Sequence, residues 1–267
     1  MKRQPAVAGQ FYQGSASKLR TEVERYVLRD TKKEKVIGII SPHAGLMYSG
    51  HVAGAVYSSI EFPDTFMLIG PNHTGLGSSV SVMSSGTWDI PMRSFLIDDN
   101  LGKKLLAKVP LIKDDPIAHR FEHSLEVQLP FLAYFSDTVK ILPLSVMKAS
   151  FKECEELGKG IAAVVKDSLT DVVIAASTDM SHYVSDEIAR KLDGLAINKV
   201  LNLDPEGLYN IVRKESISMC GFVPATIMLY AAKELGAKEA KLIKYATSGE
   251  ISGDYERVVG YAGVIVK

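Results

Sequence analysis

Short runs of β-branched and other apolar residues recur along the chain and predict β-strands. Several of these runs are almost continuously apolar, which is typical of strands in a sheet that is covered on both faces. The predicted strands are residues 36–41, 65–70, 79–83, 139–146, 172–178, 241–247 and 258–266.

Between the predicted strands, apolar residues follow the spacing of one helix face. The predicted helical stretches are 19–27, 150–168, 192–201 and 224–236. Ser150 is placed to cap the second of them. Strands that alternate with helices predict an α/β fold, a single three-layer domain over residues 1–267 with a largely parallel central sheet flanked by helices. Only the short segment SGEISGDYER links the last two strands, so we expect an antiparallel pair at an edge.

The charge balance narrows the classes of partner. The chain has 31 Lys and Arg against 31 Asp and Glu, so its formal net charge at pH 7 is zero. It therefore lacks the long-range attraction that proteins binding nucleic acid or anionic membranes usually carry. No apolar run approaches the roughly 20 residues that cross a bilayer. We expect a small molecule or a peptide as partner, with no nucleic acid and no membrane.

Two features favour a cytoplasmic location. The first residues, MKRQPAVAGQFYQG, lack the apolar stretch of a signal peptide. The two cysteines, Cys154 and Cys220, cannot build a disulfide framework, which favours a reducing compartment.

Three of the six histidines lie a few residues past the end of a predicted strand: His43, His73 and His182. Open α/β sheets bind ligands beyond the carboxyl ends of their strands. Histidines at equivalent positions on three strands would converge there, which predicts a functional cluster. Asp179, three residues before His182, is placed to fix the tautomer of that histidine.

The two cysteines lie in different sequence contexts, one on a predicted helix face and the other just before a predicted helix. Cys154 shares a helix face with Phe151 and Leu157, which places it in the core. Cys220 lies just before the helix predicted at 224–236, where the helix dipole would favour a thiolate. A buried apolar cysteine fits the same sequence equally well. Two imidazoles with one anionic ligand make an open metal site, in which a carboxylate favours iron(II) and a thiolate favours copper(I) or zinc.

A competing motif occurs at 119–123, where HRFEH fits the zinc-peptidase pattern H-x-x-E-H. That pattern needs both histidines on one helix. Pro116 and the apolar spacing from Leu125 onward instead predict a helix that begins near 123 or 124. The inverted zinc-peptidase interpretation is therefore the weaker one.

The same residues lie in segments that together resemble the Memo family, over essentially the whole chain and in the same order. These segments are RQPAVAGQFY at 3–12, SPHAGLMYSG at 41–50, IGPNHTG at 69–75, EHSLEVQLPFL at 122–132, STDMSHY at 177–183 and the closing SGD and VGYAG at 252–263. The chain departs from the family pattern at Gln13, Leu46 and Glu250, where the family often has Pro, Tyr and Asp. None of these positions touches the histidine cluster.

The Memo family is in turn distantly similar to the class III extradiol ring-cleaving dioxygenases, which are non-haem iron(II) enzymes with an α/β fold. That resemblance implies that His43 and His73 are metal ligands and that Cys220 takes the place of the dioxygenases' glutamate ligand. It implies an acid/base role for His182 and a substrate contact for His123. Exchanging glutamate for cysteine changes the charge and redox behaviour of the site, which puts ring cleavage itself in doubt.

The resemblance leaves the function divided. It implies a metal-binding redox protein that uses iron or copper, with zinc also compatible. The alternative is a non-catalytic binding module whose histidine-lined cleft takes an anionic or phosphotyrosine-like peptide, and a lesser alternative is a metallohydrolase. Family members in archaea and bacteria are associated with radical SAM and AMMECR-domain proteins, which are the implied protein partners.

Overall fold

Residues 1–267, all of which the computed structural model describes, form twelve strands and nine α-helices. The strands are β1 Lys2–Arg3, β2 Gly38–Ser41, β3 Thr65–Pro71, β4 Val80–Val82, β5 Thr87–Ile90, β6 Arg93–Leu96, β7 Lys113–Asp114, β8 Lys140–Val146, β9 Val172–Ser177, β10 His182–Val184, β11 Ala240–Thr247 and β12 Val258–Val266.

The α-helices cover most of the remaining chain. They are α1 Ala16–Glu24, α2 Leu46–Ser58, α3 Asp99–Lys108, α4 Leu129–Phe135, α5 Phe151–Lys166, α6 Asp186–Leu201, α7 Pro205–Lys214, α8 Phe222–Glu234 and α9 Gly249–Ser252. Two 3₁₀ turns, Pro116–His119 and Glu126–Gln128, lie between β7 and α4. All seven strands that the apolar pattern predicts are present, within a few residues of their predicted bounds.

A large sheet forms the centre of the molecule. Its strands β2, β9, β3 and β8 are parallel neighbours in that order. Strand β12 pairs antiparallel with β2, and β11 pairs antiparallel with β12 at the edge. Strand β4 pairs antiparallel with β8 on the other side. The predicted α/β fold with a largely parallel sheet and an antiparallel edge pair is confirmed.

Helices cover both faces of this sheet, which explains why its strands are apolar almost throughout. A Cβ atom on Gly38 of β2 would lie 2.7 Å from Met228 Sδ in α8. On the opposite face, a Cβ atom on Gly263 of β12 would lie 2.5 Å from Val56 in α2. Both glycines are needed because helix and sheet approach closely at these points.

Two local predictions have different outcomes. The cap at Ser150 is confirmed as a full capping box, in which the Ser150 hydroxyl accepts the N–H of Glu153 and the Glu153 carboxylate returns to the Ser150 N–H. The helix predicted from 123 or 124 is wrong in its start, because residues 126–128 form a 3₁₀ turn and α4 begins at Leu129. His119 and His123 therefore do not share a helix, as the zinc-peptidase motif would require.

None of the helices has both the length and the apolar character needed to cross a membrane.

Candidate functional site

The carboxyl ends of β2, β9 and β3 meet at one edge of the sheet and present the predicted polar residues together. His43 follows β2 by two residues, and His73 follows β3 by two residues. Asp179 follows β9, which lies between those two strands. Because neighbouring parallel strands end at the same edge, residues far apart in sequence become neighbours there.

Three histidines form the closest group at this edge: His43, His73 and His123. Each offers a ring nitrogen, and the three ligand atoms lie within 4.8 Å of one another, close enough to hold one metal ion. The rings of His73 and His123 are stacked with their centroids 4.6 Å apart. His43 meets both edge-on, at 5.3 Å from His73 and 5.5 Å from His123. His123, expected to contact substrate, thus lies within the group itself.

The hydrogen-bond network fixes the tautomer of His43. Its Nδ1 lies 2.8 Å from the Ser177 hydroxyl, which donates its single proton to the Ser124 carbonyl at 2.7 Å. The Gln128 amide also donates to Ser177, at 2.9 Å. Since the Ser177 proton is already used, His43 Nδ1 must carry a proton and donate it. The lone pair of His43 is then on Nε2.

Glu122 fixes the tautomer of His73 in a similar way. Its Oε1 lies 2.9 Å from His73 Nδ1 and 3.4 Å from His123 Nδ1. The same carboxylate accepts the backbone N–H groups of His73, His123 and Ser124. A carboxylate can only accept, so His73 Nδ1 donates and its Nε2 is free. Carboxylates that hold the far nitrogen of a histidine in this way are typical of metal sites.

Asp179 and His182 line the same cleft but are not hydrogen-bonded to each other. Oδ1 of Asp179 accepts the backbone N–H of His43 at 2.8 Å and that of Ala44 at 3.3 Å. Nδ1 of His182 lies 2.8 Å from the carbonyl oxygen of Ser218. The tautomer of His182 is therefore set by Ser218 instead of Asp179. Asp179 holds the loop that carries His43, and the proposed acid/base roles of these two residues stay predictions.

Cys220 lies beside the group, just before α8. Its Sγ is 3.3 Å from His43 Nε2 and accepts the backbone N–H of Asp179 at 3.3 Å. The thiol thus lies at the nitrogen of His43 that carries the lone pair. Its assignment as a metal ligand stays a prediction. Cys154, in contrast, is fully buried in α5, as its helical spacing predicted.

Burial controls protonation in this group. It lowers the pKa of His43 well below the usual value, with the positive charges of His123 and His73 as further causes. It also lowers the pKa of His123. Burial raises the pKa of Glu122, but the hydrogen bond and charge of His73 and the backbone N–H groups outweigh it, so the pKa is about 2. At neutral pH His43 and His123 are thus neutral and Glu122 is charged.

Burial, together with the charge of Asp179, raises the pKa of the Cys220 thiol to about 12. Of the two protonation states that the sequence left open, the raised pKa favours the neutral thiol, in a partly buried position beside His43.

The histidines open into a cleft of about 580 Å³. Its walls include Phe11, Tyr48, Tyr183, Asp254 and Arg257, none of which the sequence singled out. Phe11 lies over His123, with ring centroids 4.8 Å apart. These residues come from the first twenty residues, α2, β10 and the segment before β12, so no local pattern connects them.

Comparison with known proteins agrees with this architecture. A model of the family described as Memo-like protein matches residues 3–265. A MEMO1 family protein of Methanosarcina mazei is 42% identical over 99% of this chain and 99% of its own. A second one, of Methanococcoides burtonii, is 44% identical over 99% of this chain and 100% of its own.

Among solved structures, uncharacterized protein JW3007 from Escherichia coli K12 superposes with a TM-score of 0.56. The match covers 86% of this chain and 100% of that one, at 14% sequence identity, so it shows a shared fold only. The family match extends over nearly the whole sequence and the archaeal relatives over nearly all of both chains. The chain belongs to the Memo-like protein family.

Proposed function

We propose that the protein is a metal-dependent redox protein that holds iron or copper at His43, His73 and Cys220, with His123 as a further ligand. The observation that carries this proposal is the convergence of three imidazoles within 4.8 Å. Oxygen acceptors hold Nδ1 of two of them, so that their lone pairs are on Nε2. Metal-binding histidines need this arrangement, since the coordinating nitrogen must carry a lone pair.

The protonation states support metal binding over anion binding by the histidines. His43 and His123 have lowered pKa values, so they offer lone pairs at neutral pH and carry no positive charge. A binding module that relied on protonated histidines would have to protonate them against these lowered pKa values when the anion binds. We therefore place the peptide-binding alternative second.

The donor set bears on the choice of metal. Imidazole suits zinc, copper and iron, and a thiolate adds a soft ligand that favours copper(I), zinc or iron. The 3.3 Å between Cys220 Sγ and His43 Nε2 is compatible with two ligands of one ion, given metal–sulfur and metal–nitrogen distances of about 2.3 and 2.0 Å. A neutral thiol loses its proton when such an ion binds.

When bound, iron or copper would supply electron transfer to or from a substrate. The residues of the chain supply the remaining functions. His182 presents Nε2 on the cleft wall while Ser218 holds Nδ1, so it can accept or deliver a proton there. Asp179 keeps the His43 loop in place, and Phe11 restricts water on the side of His123.

Metal content and oxidant consumption test the proposal. The protein is purified anaerobically without a metal-binding tag, and iron, copper and zinc are measured in wild type, His43→Ala and Cys220→Ala. We expect nearly one iron or copper per wild-type chain and a large loss in both variants. The control is His51→Ala, which removes a histidine of α2 outside the group.

The outcomes separate the candidate functions. A folded wild-type protein that takes up none of the three metals would overturn the proposal and favour the binding module. Stoichiometric zinc without oxidant consumption would favour the metallohydrolase. Circular dichroism of each variant shows whether a loss of metal reflects unfolding instead.

A further inference from the structure

A buried glutamine ties together the two strand ends behind His43. Nε2 of Gln128 donates to the carbonyl oxygen of Pro42 at 2.8 Å and to the Ser177 hydroxyl at 2.9 Å. Pro42 lies between the end of β2 and His43, and Ser177 is the last residue of β9, the strand that pairs with β2. One side chain from outside the sheet therefore holds both the loop that carries His43 and the hydroxyl that contacts its ring.

The orientation of the Gln128 amide follows from its neighbours. The Pro42 carbonyl can only accept a hydrogen bond, so the NH2 group of the amide must face it. The amide oxygen then faces Tyr57, whose hydroxyl donates to it at 2.9 Å. Burial raises the pKa of Tyr57, so the hydroxyl keeps the proton that this bond needs. The opposite orientation would place two acceptors against each other at Pro42.

The position of Tyr57 is itself fixed by packing. Tyr57 lies on α2 and is fully buried. Its ring is stacked on that of Phe131 in α4, with the centroids 5.4 Å apart and an angle of 10° between the planes. Helix α4 begins directly after Gln128. The stacked pair therefore joins α2 to α4 and sets the place of the hydroxyl that orients the amide.

Filling the core does not explain an amide at this position. Gln128 is 1% exposed and is the one buried side chain among the Asn and Gln residues of the chain. Burying an amide costs free energy unless its hydrogen bonds to water are replaced. An apolar side chain would fill the same space without that cost. Two of the three hydrogen bonds that offset it go to groups that surround His43.

We propose that Gln128 is a positioning residue for His43 and that Tyr57 sets its orientation. Through the Pro42 carbonyl, Gln128 fixes the loop of His43, and through Ser177 it fixes the oxygen that accepts the Nδ1 proton. The Nε2 lone pair is thereby held in one direction before a ligand arrives, which lowers the entropy cost of binding. The inference rests on the proposed function in taking that ligand to be a metal ion.

Proton exchange at the His43 ring tests the inference in the metal-free protein. Exchange of the Nδ1 proton with water requires the bond to Ser177 to open, so its rate, followed by NMR, reports how firmly the ring is held. The resonance is assigned by its absence in His43→Asn. Gln128→Met removes the amide and keeps a side chain of similar length, and Tyr57→Phe removes only the orienting hydroxyl.

We expect the ring proton to exchange about tenfold faster in Gln128→Met and by a smaller factor in Tyr57→Phe, because each variant leaves the network with fewer hydrogen bonds. Zinc affinity is measured on the same proteins against a competing chelator. It should fall by about 10- to 100-fold in Gln128→Met, the range typical when a group that orients a metal ligand is lost.

Thr65→Val and Tyr209→Phe are matched controls. Thr65 donates a buried hydrogen bond to Asp98 at 2.8 Å, at the end of β3 opposite to His73. Tyr209 lies on α7 and donates to the carbonyl of Ala149 at 3.3 Å. Each change removes the hydrogen bond of a buried hydroxyl away from the histidines. Both should leave ring exchange and zinc affinity unchanged.

Ring exchange as slow in folded Gln128→Met as in wild type would overturn the inference, and so would equal acceleration in the two controls. If Gln128→Met does not fold, wild-type exchange in Tyr57→Phe has the same meaning. A wild-type protein that takes up no zinc, copper or iron, yet shows faster exchange in Gln128→Met, contradicts the metal-dependent function and leaves the positioning of His43 by Gln128 in place.

Discussion

Oε1 of Glu122 lies 2.9 Å from Nδ1 of His73, while Oε2 of the same carboxylate accepts the backbone N–H of His73. One buried side chain thus fixes both the loop and the ring orientation of a histidine that lies 49 residues away in sequence. The pKa of Glu122 is lowered to about 2, because the hydrogen bond and charge of His73 and the backbone N–H groups outweigh the cost of burial. The carboxylate is therefore charged at neutral pH. This contact links the 119–128 segment to the end of β3 and makes Glu122 part of the candidate metal site.

Replacing Glu122 by Gln is therefore expected to weaken metal binding. The amide nitrogen of Gln is a donor. It would face backbone N–H groups that now donate hydrogen bonds to the carboxylate. We expect metal affinity to fall by about 10- to 100-fold, the range typical for the loss of such an orienting carboxylate. The measurement is a titration against a competing chelator at pH 7.

Glu156→Gln, which changes an exposed carboxylate on α5, serves as the comparison. Thermal melting of both metal-free variants separates a local loss of affinity from unfolding. Unchanged affinity in folded Glu122→Gln would show that this carboxylate does not support the metal site.

The strands of the central sheet could be predicted because a strand buried on both faces has an almost continuous run of apolar residues in the sequence. The positions of His43 and His73 followed from the same logic, since parallel strands end at a common edge. Residues 258–266, for example, form β12 with the predicted bounds. The fold and two members of the histidine group could therefore be predicted from local sequence patterns.

The hydrogen-bond partners of these histidines could not be predicted in the same way. Ser177 and Gln128 act on His43 through contacts that span 134 and 49 residues. The motif at 119–123 did contain a signal for Glu122, but the zinc-peptidase pattern assigns that glutamate to a helix, and here it lies in the irregular segment between the two 3₁₀ turns.

His119 is expected to make the metal-free protein sensitive to acid. It is fully buried, and neither ring nitrogen makes a hydrogen bond. Burial and the charge of Arg3 lower its pKa from 6.5 to about 4. The unfolded chain therefore binds a proton between pH 6.5 and 4 that the folded chain does not, so stability is lost as the pH falls through this window.

Below about pH 4, the proton taken up by His119 should have lowered the free energy of unfolding by on the order of 3 kcal/mol. His119→Phe cannot take up the proton, so its free energy of unfolding should fall less between pH 7 and 4.5 than that of wild type. Urea denaturation in the presence of EDTA measures this difference. Equal pH dependence in the two proteins would contradict the assignment.

Cys220 is expected to remain protonated until a metal binds. Because its pKa is raised to about 12, metal-free protein should react with iodoacetamide at pH 8 far more slowly than a free thiol does. Cobalt(II) or copper(II) should then produce a thiolate-to-metal absorption band if Cys220 is a ligand. The band should vanish in Cys220→Ser and persist in Cys154→Ala, which alters the cysteine that is buried in α5. A band that persists in Cys220→Ser would remove this residue from the ligand set.

The N-terminal segment is anchored by a buried ion pair, and breaking it is expected to be costly. Nη1 of Arg3 lies 2.5 Å from Glu126 Oε2, and both side chains are almost completely buried. Glu126 also accepts the hydroxyl of Tyr12 at 2.6 Å. Arg3→Met leaves the Glu126 charge buried without its cation, which we expect to lower the free energy of unfolding by about 3–5 kcal/mol.

Lys103→Ala provides the contrast, because Lys103 and Asp99 form an exposed pair on α3 whose loss should change stability far less. Urea denaturation at pH 7 compares the two variants. The anchored segment also carries Phe11, which lies against His123. Arg3→Met should therefore reduce metal affinity as well as stability, although Arg3 is not a residue of the cleft wall. A variant that is strongly destabilised but binds metal with wild-type affinity would show that the histidine group is held without the N-terminal segment.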